Sequence, residues 1–119
     1  MNEKKYNVED RLVQFAADTI LFTKLLPYDD AGRYFRDQLT RSACAAALNF
    51  GESQGTDSIK DSVHKLGMVI KELKESRVSL KIVTKLKIGD PPSRTLLLSE
   101  VEELIAIAAT IRKNKNRGD

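Results

Sequence analysis

The chain has 119 residues, which suits one domain with a modest core; at 41% hydrophobic and 31% charged, with no Trp, that core must be aliphatic. No apolar run approaches the roughly 20 residues of a membrane helix, no signal-peptide-like segment follows the charged N-terminus, and one cysteine, Cys44, excludes an internal disulfide and a thiolate metal cluster, so the cytoplasm of a bacterium-like cell is the expected location. The net charge of +3 is unevenly placed: residues 56–88 carry eight basic and four acidic side chains, and residues 89–111 carry one and four, an asymmetry that points to an anionic partner more than the total does.

The periodicity is helical throughout. A first helix is predicted over residues 8–26, with Val8, Leu12, Phe15, Thr19, Phe22 and Leu26 on one face, ended by Pro27 and Tyr28-Asp29-Asp30. A second, over 31–53, carries Phe35, Leu39, Ala43, Ala46 and Phe50, with Gly51 and Gly55 at its end. The third, over 58–87, opens on a Ser58/Asp61 pair with capping-box spacing. Its apolar positions are Ile59, Val63, Leu66, Ile70, Leu73, Leu80 and Val83. Gly89-Asp90-Pro91-Pro92 breaks the pattern, and a fourth helix is predicted over 94–112, with Leu97, Val101, Leu104, Ile105, Ala108 and Ile111. Glu100, Glu102 and Glu103 in its first half, with Arg112 and Lys113 at its end, suit the helix dipole. Residues 113–119 read as a frayed polar tail. Short connections favour antiparallel neighbours, so residues 1–119 are expected to form a single all-α, up-down-up-down four-helix bundle.

The second helix carries Ser42, Ala43, Cys44, Ala45, Ala46 and Ala47. A run small on all sides serves either tight packing inside the bundle or a contact between subunits. Arg41, Ala45, Leu48 and Glu52 share a narrow arc, and Arg41 and Glu52, on the order of 16 Å apart along the axis, cannot pair with each other. Antiparallel register places Arg41 opposite Glu72, so an Arg41–Glu72 ion pair is predicted, at least partly buried. Asn49 and Glu52 lie close enough to the helix end to bond the exposed backbone of the second connection. All four read as structural rather than catalytic.

These residues carry a resemblance. Gln38-Leu39-Thr40-Arg41-Ser42, the small run, and Asn49-Phe50-Gly51-Glu52-Ser53 resemble the four-helix proteins encoded in intervening sequences of bacterial 23S ribosomal RNA genes. The similarity continues through Asp57 to Leu66 and Lys71 to Ser76, and covers roughly residues 8 to 112, with its specific part at 38 to 76. Two departures are Gly51, where the family usually has Ala, and Ser53, where it has Gly. The resemblance implies a bundle assembled as a ring, typically a homopentamer, with Arg41, Asn49, Glu52 and Glu72 as scaffold and no enzymatic activity. Accessory variability proteins of diversity-generating retroelements, basic rings that bind nucleic acid and a reverse transcriptase, look like relatives.

On the third helix Lys74, Arg77, Lys81 and Lys85 follow spacings of 3, 4 and 4 and span about 80° of arc, bordered by Lys71. In a ring, copies of the stripe would form a belt that binds RNA or DNA through phosphates, with strong salt dependence and little sequence choice. No aromatic is interleaved with the stripe, so base stacking is not indicated. The alternative is an ordinary solvated face. The single histidine, His64, has no cysteine nearby and makes no metal site; Cys44 has no base in register and reads as a small packed residue. No phosphate-binding glycine loop and no Ser-His-Asp set is present, and no cofactor is indicated. The sequence reading is therefore a non-enzymatic, ring-forming bundle that binds nucleic acid nonspecifically. A structural or protein-interaction scaffold is the second reading, and an enzyme with a site built between subunits a remote third.

Overall fold

Asn7 starts the first helix by accepting the backbone N–H of Asp10 at 3.0 Å. The computed structural model describes residues 7–118, and four helices account for most of them: α1 (Val8–Thr23), α2 (Asp30–Gln54), α3 (Ile59–Leu86) and α4 (Pro91–Asn116). Each packs antiparallel on the next and α1 closes against α4, giving the up-down-up-down bundle. The molecule is a flattened slab of 46 × 32 × 19 Å. The α1–α4 seam is the least extensive of the four.

The helix ends explain where the observed bounds differ from the expected ones. α1 stops at Thr23 because the chain tightens: Leu25 N–H donates to Phe22 O and Leu26 N–H to Thr23 O. Leu26 still drops into the core, outside the helix that its periodicity predicted. α2 begins at Asp30, where the Asp29 carboxylate accepts the Gly32 N–H at 2.8 Å. Gly32 has no Cβ because Pro27 O sits 1.8 Å from where one would be.

Only half of the predicted capping box forms at α3. Ser58 Oγ accepts Asp61 N–H at 3.1 Å, while the Ser58 N–H donates to Thr56 Oγ1 instead. α3 ends in a Schellman closure: Lys87 adopts φ 59°, its N–H donates to Thr84 O, and Ile88 N–H donates to Val83 O. α4 starts three residues earlier than expected. Pro91 and Pro92 occupy the first turn, where no N–H is required, and Asp90 caps it through Ser93 N–H at 3.1 Å and Ser93 Oγ at 2.6 Å. It also continues to Asn116 through the stretch expected to fray. Arg112 Nε donates to Val63 O of α3 at 3.1 Å, and Lys113 and Lys115 suit the C-terminal dipole.

The core is mainly aliphatic and takes in all four phenylalanines, and every apolar position expected of α2 is buried. On α3 the buried row is Leu66, Val69, Leu73, Leu80 and Val83. Ile59, expected in the core, is exposed at the first turn, and Val63 and Ile70 are half-buried at its edges. On α4 Leu97, Val101, Leu104 and Ala108 are buried.

Candidate nucleic-acid interface

The buried row of α3 points into the bundle, so the opposite face must be solvated. Lys71, Lys74, Lys81 and Lys85 are all exposed, and among the described residues none of them meets a carboxylate. Arg77 behaves differently. It lies at the α4 edge of the stripe, is half-buried, and its Nη1 donates to Glu102 Oε1 at 2.9 Å. Other basic groups of the bundle are also engaged: Arg11 with Glu100 and Glu103, Arg33 with Asp30, Arg41 with Glu72 and Glu75, and Lys65 with Glu52. Three of the four stripe residues thus form an uncompensated cationic row, and the fourth serves the α3–α4 seam.

Beside this row runs an open groove of about 660 Å³ between α2 and α3, lined by Tyr34, Phe35, Gln38, Lys71, Lys74, Glu75, Val78, Ser79 and Ile82. Tyr34 is more than half exposed, and its ring stands edge-to-face with Phe35 at 5.0 Å. The aromatic missing from the stripe's own sequence is supplied by the neighbouring helix. The antiparallel register that relates Arg41 to Glu72 also brings Tyr34 level with residues 79–82, and that was the signal available in the sequence.

The α2–α3 hairpin is held by polar contacts. Arg41 Nη1 donates to Glu72 Oε1 at 3.1 Å and Arg41 Nη2 donates to Glu75 Oε1. Glu72 is nearly buried at 7% side-chain exposure, while Arg41 is 49% exposed. One turn further Ser42 and Ser76 meet in the core, Oγ to Oγ at 2.6 Å. Ser76 donates its single proton to Glu72 O at 3.1 Å, so Ser42 is the donor to Ser76. Asn49 and Glu52 do not bond the second connection as expected: Asn49 Nδ2 donates back to Ala45 O at 2.9 Å, and Glu52 accepts Lys65 Nζ at 2.8 Å across the hairpin. The connection is tied by Ser62 Oγ, which donates to Ser53 O at 2.9 Å.

Residues 4–110 match the model of the 23S rRNA-intervening sequence protein family. The chain belongs to that family. A crystal structure of a protein of unknown function from the S23 ribosomal protein family of Bacteroides thetaiotaomicron superposes with a TM-score of 0.82 at 21% identity, covering 89% of this chain and 98% of the other. At that identity the likeness speaks to the fold. No curated protein matches the chain.

In this member of the 23S rRNA-intervening sequence family, the perturbed basic groups are seam contacts. Hydrogen bonds donated to Glu100, then to Glu103, hold the Arg11 guanidinium above its ordinary value and join α1 to α4. Glu75, more than Glu72, raises Arg41, and Glu52 raises Lys65. Glu100, Glu102 and Glu103 lie beyond the first turn of the longer α4, outside the reach of the dipole; they accept from Arg11 and Arg77. Among the described residues no three His, Cys, Asp or Glu side chains are placed to hold a metal. No helix of the described residues is long and apolar enough to cross a membrane.

Proposed function

We propose that the protein is a non-enzymatic, ring-forming bundle of the bacterial cytoplasm that binds RNA or DNA through phosphate contacts on α3. The observation that carries this reading is the row Lys74, Lys81 and Lys85, exposed on one face of α3 and without a carboxylate partner among the described residues, whereas Arg11, Arg41, Lys65 and Arg77 are each ion-paired. A row at helical spacing tracks a phosphate backbone and reads no base edge, so binding is nonspecific and steeply salt-dependent. The relation to accessory variability proteins, part of the family resemblance, fits a basic ring.

Self-association has its own support. Leu21, Leu25 and Leu96 are 61%, 74% and 71% exposed and flank an open groove of about 570 Å³ between α1 and α4. Apolar side chains gathered like this mark a contact surface. They equally serve the second reading, a scaffold that binds proteins and no nucleic acid.

Fluorescence anisotropy of a labelled oligonucleotide across a salt series separates the two. The nucleic-acid reading expects binding at low salt, and a slope of log affinity against log salt that falls by about 2 when Lys74, Lys81 and Lys85 become Gln. Arg77→Gln should change affinity far less, because that side chain is committed to Glu102. No binding at low salt, or a triple variant that binds like the parent, overturns the reading. Light scattering tests the ring, which expects five times the 13.3 kDa chain mass.

A further inference from the structure

We propose that the α2–α3 groove is a stacking site for single-stranded nucleic acid, in which a base lies against Tyr34 and adjoining phosphates lie on Lys71 and Lys74. This rests on the nucleic-acid reading above and adds to it the strandedness of the ligand. The groove has the two parts such a site requires. Its wall is apolar, formed by Tyr34, Val78 and Ile82, and its rim is cationic. Tyr34 stands 58% exposed and is braced by the ring of buried Phe35, so it offers aromatic surface with little left to order. Gln38, a turn further along α2, presents both a donor and an acceptor to a base edge. Glu75, the single acid in the lining, is bonded to Arg41 and does not stand bare against a phosphate.

Lys74 and Lys85 bracket Val78 on the α3 surface, and the apolar wall is continuous with the lysine row. A strand following the row therefore passes the groove. In a duplex the bases are stacked on each other and cannot reach Tyr34 without unpairing, which makes the site selective. A second copy of the chain is the poorer occupant, because lysines are depleted from the cores of protein interfaces and Lys71 and Lys74 form no ion pair among the described residues. The α1–α4 groove, with leucines and no lysine, suits that role better.

The test uses the full chain with labelled 12-nucleotide uridine and thymidine strands and a blunt 12-base-pair duplex, all at one low salt concentration. Both single strands should bind more tightly than the duplex. Tyr34→Ala should weaken single strands about tenfold, equivalent to stacking one base, and leave the duplex within twofold. Tyr34→Phe should bind like the parent, and Val78→Glu, on the same exposed wall, should also weaken single strands. If uridine binds and thymidine does not, a ribose contact governs binding and the stacking site is overturned. Equal binding of duplex and strand, or unaltered binding by Tyr34→Ala, overturns it while leaving the phosphate reading intact. Failure of every oligonucleotide to bind overturns both. A fall in solution mass for Tyr34→Ala would show the groove filled by a second copy, and also overturns the stacking site.

Discussion

Arg41 and Glu72 form an asymmetric pair, and the asymmetry predicts which half matters. Glu72 is almost fully enclosed, and among the described residues its one side-chain hydrogen bond comes from Arg41. Arg41 is half exposed and holds Glu75 as well. Arg41→Ala therefore strands a buried carboxylate, and the destabilisation should be about 3 kcal/mol. That is the low end of the 3–5 kcal/mol for breaking a buried pair, because the Arg41 side of the site is open to water. Glu72→Gln removes the charge that needed a partner and leaves Arg41 with Glu75 and solvent, so it should cost about 1 kcal/mol or less. The double variant should resemble Glu72→Gln alone, giving a coupling of about 3 kcal/mol. Urea unfolding followed by helical circular dichroism reads this directly. With a slope near 1.5 kcal/mol per molar urea, Arg41→Ala lowers the midpoint by about 2 M, and Glu72→Gln by about 0.7 M or less. Equal losses for the two single variants, or a double variant as unstable as the sum of both, would refute the argument from burial.

Three further outcomes follow from the packing. Gly32→Ala should destabilise by about 3 kcal/mol or more, because its methyl meets the Pro27 carbonyl, which is backbone and cannot swing aside; thermal unfolding checks it. Thr19→Val should be neutral or stabilise by up to about 1 kcal/mol, since the fully buried Thr19 hydroxyl has no hydrogen-bond partner among the described residues; a lower melting temperature would contradict this. Asp90 is held below its ordinary 3.8 by the Ser93 hydroxyl first and the Ser93 N–H second. A depressed carboxylate adds stability above its unfolded pKa and loses it as pH falls through the folded one. Asp90→Asn keeps a capping oxygen but cannot titrate, so its stability should fall less than the parent's as the pH drops below about 3.8; an identical acid limb in the two proteins counts against it.

Much of the fold was legible because helical periodicity is local. The rows Leu39, Ala43, Ala46, Phe50 and Leu97, Val101, Leu104, Ala108 are core stripes that can be counted along the chain. The Arg41–Glu72 contact was legible too, since a short connection between two helices sets their register. Helix ends were less so. Pro91 and Pro92 read as breakers but are tolerated at a first turn, and the polar stretch after Arg112 stays helical because a carbonyl on another helix anchors it.

The candidate site divides the same way. The spacing of Lys74, Lys81 and Lys85 on one outward face is a property of a single helix, and the chain order alone determines it. The commitment of Arg77 to Glu102, and the approach of Tyr34 to Lys71 and Lys74, were decided only when three helices packed together. Local periodicity says which way a side chain points from its own axis. Which neighbour it meets there depends on where the other axes lie, and those are set by burial summed over the whole core.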